Sequence, residues 1–322
     1  MDVPPQQQPG TGAPVVVGVD GSPQARAALR AALAAAAGRS AGLVVLSSYS
    51  ADLYWLGGAD VVASVVDGVR GSTRRLAEEL VASVRAEAAE AADVPVTVEV
   101  TPEPPAAGLV ARSAEAQLVV VGSRGRGAVR SALLGSVALH TVTHAHCPVL
   151  VVHPRAAEPT GPPRVVVGVD GSAASRAALA AAVEEAARVG AGVQAVAAYA
   201  LTDYWVDLST VVVPSVDEIR DDLRNRVEEA VHDVLAARPA GATPPCVDVD
   251  VVEGAASDVL VDRAGDAVLL VVGGSGRGAV RGLLVGSVAL HCAVHAPCPV
   301  LVVHPAGRRA GTAVGAGAPA LA

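Results

Sequence analysis

Lysine is missing from all 322 positions of the chain, and so is phenylalanine. The first absence excludes a P-loop lysine, a Schiff-base lysine and the strand lysine of protein kinases. The 24 cationic side chains of the Lys/Arg class are all arginine. A bound phosphate would therefore be held by backbone N–H groups, hydroxyls, guanidinium groups or a metal. Aromatic residues amount to 2% while 52% of the chain is hydrophobic, which leaves Val, Leu and Ala to build the cores. That composition suits parallel sheets covered by Ala-rich helices. Long basic tracts are missing too, and a net charge of −8 argues against sequence-independent nucleic-acid binding. No uncharged apolar run reaches bilayer-spanning length; the Ala-rich run over 27–37 is short and broken by Arg30, so no membrane partner is expected. The four cysteines (Cys147, Cys246, Cys292, Cys298) show no C-x-x-C spacing. They read as buried free thiols, which suits a reducing cytoplasm.

What is present is a duplication. Residues 15–20 (VVVGVD) form an apolar strand ending in an acid, followed by a Gly-Ser turn and by Pro23 at the first position of a helix over 23–37. Strands are expected at 43–49, 96–101, 118–122 and 148–153, with helices at 70–92, 106–115 and 137–145. The order βαβαβαβαβ predicts a parallel sheet with helices on both faces. The same series returns after a Pro-rich linker: Asp170 follows Asp20 by 150 residues and Gly273 follows Gly122 by 151. Expected strands of the second half are 164–170, 193–199, 247–252 and 299–304, with helices at 173–189, 216–238 and 255–264. The chain thus divides into a flexible, non-signal leader (1–14), a first domain (15–154), a linker (155–163), a second domain (164–305) and a disordered tail (306–322).

The chemistry concentrates in one stretch that occurs twice, GSRGRGAVRSALLGS from Gly122 and GGSGRGAVRGLLVGS from Gly273. Each copy leaves an apolar strand, presents Gly-x-x-Gly, and after nine residues presents Gly-Ser. The glycines are Gly122, Gly125 and Gly135, then Gly273, Gly276 and Gly286. Glycines leaving a strand expose consecutive N–H groups, an anion nest. Ser136 and Ser287 read as N-caps of the helices that follow, and a helix N-terminus also attracts anions. In an open parallel sheet, ligands bind at the carboxyl ends of the strands where strand order reverses.

The pattern Gly-x2-Gly-x9-Gly-Ser, with Val-Asp-Gly-Ser near the start of each half and Cys-Pro-Val-Leu-Val-Val at its end, resembles the universal stress protein family in its tandem, two-domain form. The resemblance runs from about residue 15 to residue 304. It implies an α/β fold of two Rossmann-like, adenine nucleotide alpha-hydrolase-like domains, each a five-stranded parallel sheet in the order 3-2-1-4-5 with helices on both faces. That order sets Asp20 against the Gly122 loop, and Asp170 against the Gly273 loop. The resemblance further implies ATP, with or without magnesium, in each domain. The implied contacts are Gly18, Asp20, Gly122, Gly125, Arg126, Gly127, Gly135, Ser136 and Val137 in the first half. In the second they are Gly168, Asp170, Gly273, Gly276, Arg277, Gly278, Gly286, Ser287 and Val288. Backbone near 48–49 and 198–199 would border the base. Family members of this kind act in stress adaptation through protein partners. Their fifth strands pair between domains, so the two halves are expected to form an internal pseudo-dimer, with further homodimerisation.

Other residues carry weaker signals. Arg126 and Arg277 could pair with terminal phosphates or lie solvated, and Arg124 has Ser275 at its matching position. His140/His144 and His291/His295 share i,i+4 spacing, but neither pair has the Glu of H-E-x-x-H, and no metal is expected. Tyr54-Trp55 and Tyr204-Trp205 recur after the second strand as loop core, a lid or an interface anchor. No paired acids and no nucleophile motif accompany the glycine loops; Ser123 only superficially resembles a nucleophile elbow. The reading is a nucleotide-dependent regulatory protein rather than an enzyme. A slow Mg-dependent ATPase or a cyclic AMP-binding protein are the alternatives. A Cβ at Gly125 or Gly276 is expected to block phosphate from the loop.

Overall fold

The computed structural model describes residues 12–49, 59–88, 91–125, 134–154, 161–200, 215–239, 241, 243–276 and 285–304. Outside them lie Arg126, Gly127, Arg277 and Gly278, the two Tyr-Trp pairs, Arg130 and Arg281, nearly all of the leader, most of the linker and the tail. In the first half the elements are β1 (Val15–Gly18), α1 (Pro23–Ala37), β2 (Leu43–Ser48), α2 (Ala59–Glu87), β3 (Val96–Thr101), α3 (Pro105–Ser113), β4 (Leu118–Gly122), α4 (Ser136–His144) and β5 (Val149–Val152). In the second half they are β6 (Arg164–Gly168), α5 (Ala173–Val189), β7 (Gly192–Tyr199), α6 (Val216–Ala236), β8 (Val247–Glu253), α7 (Ala256–Arg263), β9 (Leu269–Gly273), α8 (Ser287–His295) and β10 (Val300–Val303).

The strands form one ten-stranded sheet in the order β3-β2-β1-β4-β5-β10-β9-β6-β7-β8. Each half is the 3-2-1-4-5 parallel sheet that the family resemblance implied. The single antiparallel step is the junction, where Leu150 faces Leu301, Val151 faces Val300 and Val149 faces Val302. Pairing the fifth strands buries two edges that would otherwise offer unpaired backbone groups. The inner strands β1, β4, β5, β9 and β10 are apolar on both sides because both faces are covered. Val15 and Val17 join the core under α1, α2, α5 and α6, while Val16 joins the core under α3, α4, α7 and α8. Both cores run across the junction without a break between halves.

Local chemistry explains several element ends. Ser22 caps α1 by accepting the Ala25 N–H at 3.1 Å, with Pro23 in the first turn, and Ser172 caps α5 in the same way through Ser175. Ser215 and Glu218 form a reciprocal capping box on α6. One expectation misses by a wide margin: α2 begins at Ala59, not near residue 70. The added turns hold Gly68 and several valines, poor helix formers individually, yet extending an existing helix costs little per residue. β1 and β6 end two residues before the acids expected to close them, because Asp20 and Asp170 belong to the turns.

Candidate functional site

The site grows from the turn after the first strand of each half. Asp20 Oδ1 accepts the Ser22 N–H at 2.9 Å, and Asp170 Oδ1 accepts the Ser172 N–H at 2.9 Å. Gly21 (φ 77°) and Gly171 (φ 80°) occupy the left-handed region that lets the chain reverse there. The acid is therefore a turn former through one oxygen. Its other oxygen faces the glycine loop. A Cβ built on Gly125 would stand 2.7 Å from Asp20 Oδ2, and one on Gly276 would stand 3.0 Å from Asp170 Oδ2. The nearest obstacle to a side chain at these glycines is thus the carboxylate across the crevice.

The loops are pinned at both ends. Ser123 N–H donates to Val152 O (2.8 Å), and Gly135 N–H returns to Ser123 O (2.7 Å). In the second copy Gly274 N–H donates to Val303 O and Gly286 N–H to Gly274 O, both at 2.7 Å. The outgoing and returning strands of the loop therefore touch, and the helix that follows starts beside the first glycines. Its N-cap is Gly135 in one copy and Gly286 in the other, with extended backbone. Ser136 and Ser287, expected as caps, are instead the first helical residues and are exposed. The reason is that the Gly135 carbonyl already closes the first turn with Leu139 N–H (2.9 Å), as Gly286 does with Leu290 (3.0 Å). The serine hydroxyls remain at the helix mouth, next to N–H groups that have no acceptor within the helix.

Four further glycines have packing roles. A Cβ on Gly122 would meet Gln24 at 3.1 Å, and one on Gly273 would meet the Ala174 backbone at 2.8 Å. These two let the fourth strand of each half approach the start of the first helix. Gly18 and Gly168 accommodate Leu109 and Leu260 (3.0 and 2.9 Å) from α3 and α7.

In the second half the parts enclose a cavity of about 830 Å³. Of the expected contacts there, Gly168, Asp170, Gly273, Gly276, Gly286, Ser287 and Val288 all line it. Ala198 lines it as well, at the end of β7 where a base was expected, whereas its neighbour Tyr199 is buried in the core. Sequence reasoning missed the far wall, formed by Arg176 of α5 and by Arg226, Glu229 and Asp233 of α6. The last three recur at helical spacing on one face of α6, which was the available signal. In the first half the residue matching Arg176 is Arg26, and it is engaged elsewhere: it donates to Ser83 Oγ at 3.0 Å and pairs with Glu87 on α2.

All four cysteines are free, but Cys246 is exposed rather than buried, since it precedes β8 at the outer edge of the sheet. Burial pushes the Cys147 and Cys292 thiols up to about 12, so both stay protonated and inert. The i,i+4 histidines do lie side by side: His140 and His144 stack with ring centroids 4.1 Å apart, and His291 and His295 are tilted with centroids 4.4 Å apart. Among the described residues no group of three or more His, Cys, Asp or Glu is gathered for a metal. Nor is any described helix long and apolar enough to cross a membrane.

Comparison with known proteins gives this arrangement relatives. A model of the universal stress protein family matches residues 13–153 and again 162–304. A universal stress protein of Mycobacterium tuberculosis (strain H37Rv) is 35% identical over 313 residues, spanning 89% of this chain and 96% of that protein. A second from the same strain is 34% identical over 295 residues, spanning 89% and 95%. Among solved structures, a universal stress protein from Archaeoglobus fulgidus superposes with a TM-score of 0.63 at 19% identity, over 92% of this chain and 99% of that one.

Proposed function

The chain belongs to the universal stress protein family, and from that premise we propose that it is a nucleotide-dependent regulatory protein of stress adaptation, with one ATP-type site in each half. The observation carrying this reading is the second-half cavity, in which Asp170, the Gly276 turn and the first turn of α8 line one space. Its chemistry fits an adenine nucleotide. The glycines leave room that a Cβ would fill, and the first N–H groups of α8 with the Ser287 hydroxyl supply donors for phosphate oxygens. The Asp170 carboxylate, exposed at the crevice, would accept hydrogen bonds from ribose hydroxyls. Backbone at Ala198 would border the base. In the first half Asp20, Gly125, Gly135, Ser136 and Val137 would do the same work. Arg126, Gly127, Arg277 and Gly278 belong to this proposal on sequence pattern alone. The nucleotide contributes a charged group whose presence or absence a protein partner could read.

The test is to denature the purified protein, identify any nucleotide released and count it per chain, then titrate ATP and cyclic AMP in competition. About two ATP per chain, or two ATP sites on titration, would support the proposal. A preference for cyclic AMP would replace ATP as the ligand. No binding of either would overturn the proposal and recast the glycine loops as scaffold.

A further inference from the structure

His153 directly follows β5 and His304 directly follows β10. Because those strands run antiparallel past each other, each histidine is carried onto the other half of the molecule. His153 Nε2 lies 3.0 Å from Ala293 O in α8, and His304 Nε2 lies 2.9 Å from Val142 O in α4. A carbonyl only accepts, so each imidazole donates from Nε2. These are reciprocal bonds: first half to second, second half to first.

The same strand ends hold the glycine loops. Val152 O, one residue before His153, accepts the Ser123 N–H, and Val303 O, one residue before His304, accepts the Gly274 N–H. The contact is also steric: a Cβ on Gly274 would stand 3.1 Å from His304 Cδ2, so the ring lies flush on the second loop. On the first side the Arg124 charge of the glycine loop acts on His153. The helices that receive the histidines are α8 and α4, whose first turns border the second and first sites. Each glycine loop is therefore tied, through one strand end and one histidine, to the helix whose N-terminus serves the other site.

We propose that His153 and His304 couple the two ligand sites, so that occupancy of one raises the affinity of the other. This rests on the proposed function for the identity of the ligand, not for the existence of the link. An anion seated between a glycine loop and the first turn of its helix fixes both. Fixing α4 fixes Val142 O and hence His304 and the Gly274 loop; fixing α8 fixes Ala293 O and hence His153 and the Ser123 loop. The junction is ordered by the first ligand and need not be ordered again by the second, which gives positive coupling. By linkage the factor is the same in either direction, and about fivefold is expected at the low end of such couplings.

Calorimetric titration of ATP into the full chain tests it. Asp20→Ala empties the first site. The second site of that variant should bind ATP about fivefold more weakly than the second site of the filled wild type. In the His153→Ala/His304→Ala background the difference should vanish, and His153→Gln/His304→Gln, which keeps an amide donor near each carbonyl, should restore part of it. Equal second-site affinity in wild type and Asp20→Ala, or coupling that survives the double alanine variant, would overturn the proposal. Amide hydrogen exchange without ligand separates this from the function itself. Loosening the first loop with Gly125→Ala should raise exchange in α8 (Ser287–His295) of the other half, and should not in the His153→Ala background. If ATP gives no heat at all, the functional reading fails while this exchange result still decides the coupling; unchanged α8 exchange would sink it.

Discussion

The two halves are alike where the proposed ligand cradle is built and different where it meets solvent. The turn at Asp20 and the turn at Asp170 have the same 2.9 Å bond, and the loops return on themselves with the same 2.7 Å bond. Around them the guanidinium groups are deployed differently. In the first half Arg26 is drawn to α2 by Ser83 and Glu87, and Arg124 stands in the glycine loop with its Nε buried and unbonded. In the second half Arg176 donates to Gly171 O at 3.1 Å and lines the cavity, while Ser275 replaces Arg124. Duplication kept the backbone chemistry, which depends on glycine and on chain direction. It released the side-chain charges, which depend on neighbours. The two sites should therefore share a ligand class and differ in how they treat its charge.

The largest effect that would break the likeness is steric. Gly273→Ala forces a Cβ to 2.8 Å from the Ala174 backbone carbon, which cannot rotate away, and should cost about 3 kcal/mol, the upper end for overpacking. Gly122→Ala meets Gln24 at 3.1 Å, first at its Cβ, and should cost about 1 kcal/mol. Urea unfolding followed by circular dichroism would rank them; equal midpoints would mean that the two strand–helix contacts yield alike. Next comes affinity. Gly125→Ala pushes against Asp20 Oδ2 and Gly276→Ala against Asp170 Oδ2, each loosening the turn that presents the acid. Each should weaken nucleotide at its own site about tenfold, roughly 1.4 kcal/mol. The first-half change should be the larger, because 2.7 Å is the closer approach. Site-resolved titration showing no loss for either variant would detach the glycine loops from the ligand.

How much of this was legible follows from what each residue depends on. The inner strands read directly as Val/Leu runs, since burial on both faces leaves no other pattern, whereas the edge strands β3 (VTVEVT) and β8 (VDVDVVE) read by alternation; the strand order and fifth-strand junction came with the family motifs. The Asp–glycine-loop crevice was legible for the same reason: strand ends and topology fix it. The start of α2 was not, because the turns over 59–69 are held by helix continuity against weak local propensity. The N-cap was misread by one residue, because Gly and Ser side by side are both acceptable caps and only the bonds from Leu139 N–H to Gly135 O and from Leu290 N–H to Gly286 O decide between them. Arg26 and Arg176 occupy matching positions in matching helices; their different fates depend on α2 and α6. There residue 87 is Glu, whereas α6 and its C-terminal flank read Val-Leu-Ala-Ala-Arg over 234–238. That is tertiary information, invisible in α1 or α5 alone.

A smaller difference between the halves is a matter of pH. Burial holds the His153 imidazole below its usual value of 6.5; carbonyls of Ala293, Val151 and Cys298 oppose this, and the Arg124 charge adds to it. The folded state thus prefers neutral His153 and binds fewer protons than the unfolded chain just below pH 6.5. Stability from this group is complete above 6.5 and falls as the pH drops toward the lower folded value. The slope is at most about 1.4 kcal/mol per pH unit. His153→Gln should flatten the wild-type profile on the acid side of the usual histidine value. Arg124→Ser, which gives the first half the second half's residue, should reduce the slope without abolishing it, because desolvation is the larger cause. A slope unchanged by His153→Gln would remove this histidine from the acid response.

The smallest expected effect separates the two arginines. Glu87 receives both Arg26 and Arg30 on a surface where these side chains stay a third to a half exposed or more, and pairs of this kind contribute about 0–1 kcal/mol. Glu87→Ala should therefore lower stability by a fraction of a kcal/mol at low salt. The loss should shrink toward zero in 1 M salt, where screening acts within about 3 Å. Arg176→Ala removes no ion pair of its own in the structure described and should leave stability unchanged at either salt. Its consequence belongs to the cavity, as a weaker hold on an anionic ligand at the second site and not the first. Releasing Arg26 through Glu87→Ala tests the converse. The freed guanidinium starts from the position that Arg176 holds in the other half, so ATP affinity at the first site should rise slightly as stability falls. A first site indifferent to Glu87→Ala would mean that the halves differ by more than the placement of one arginine.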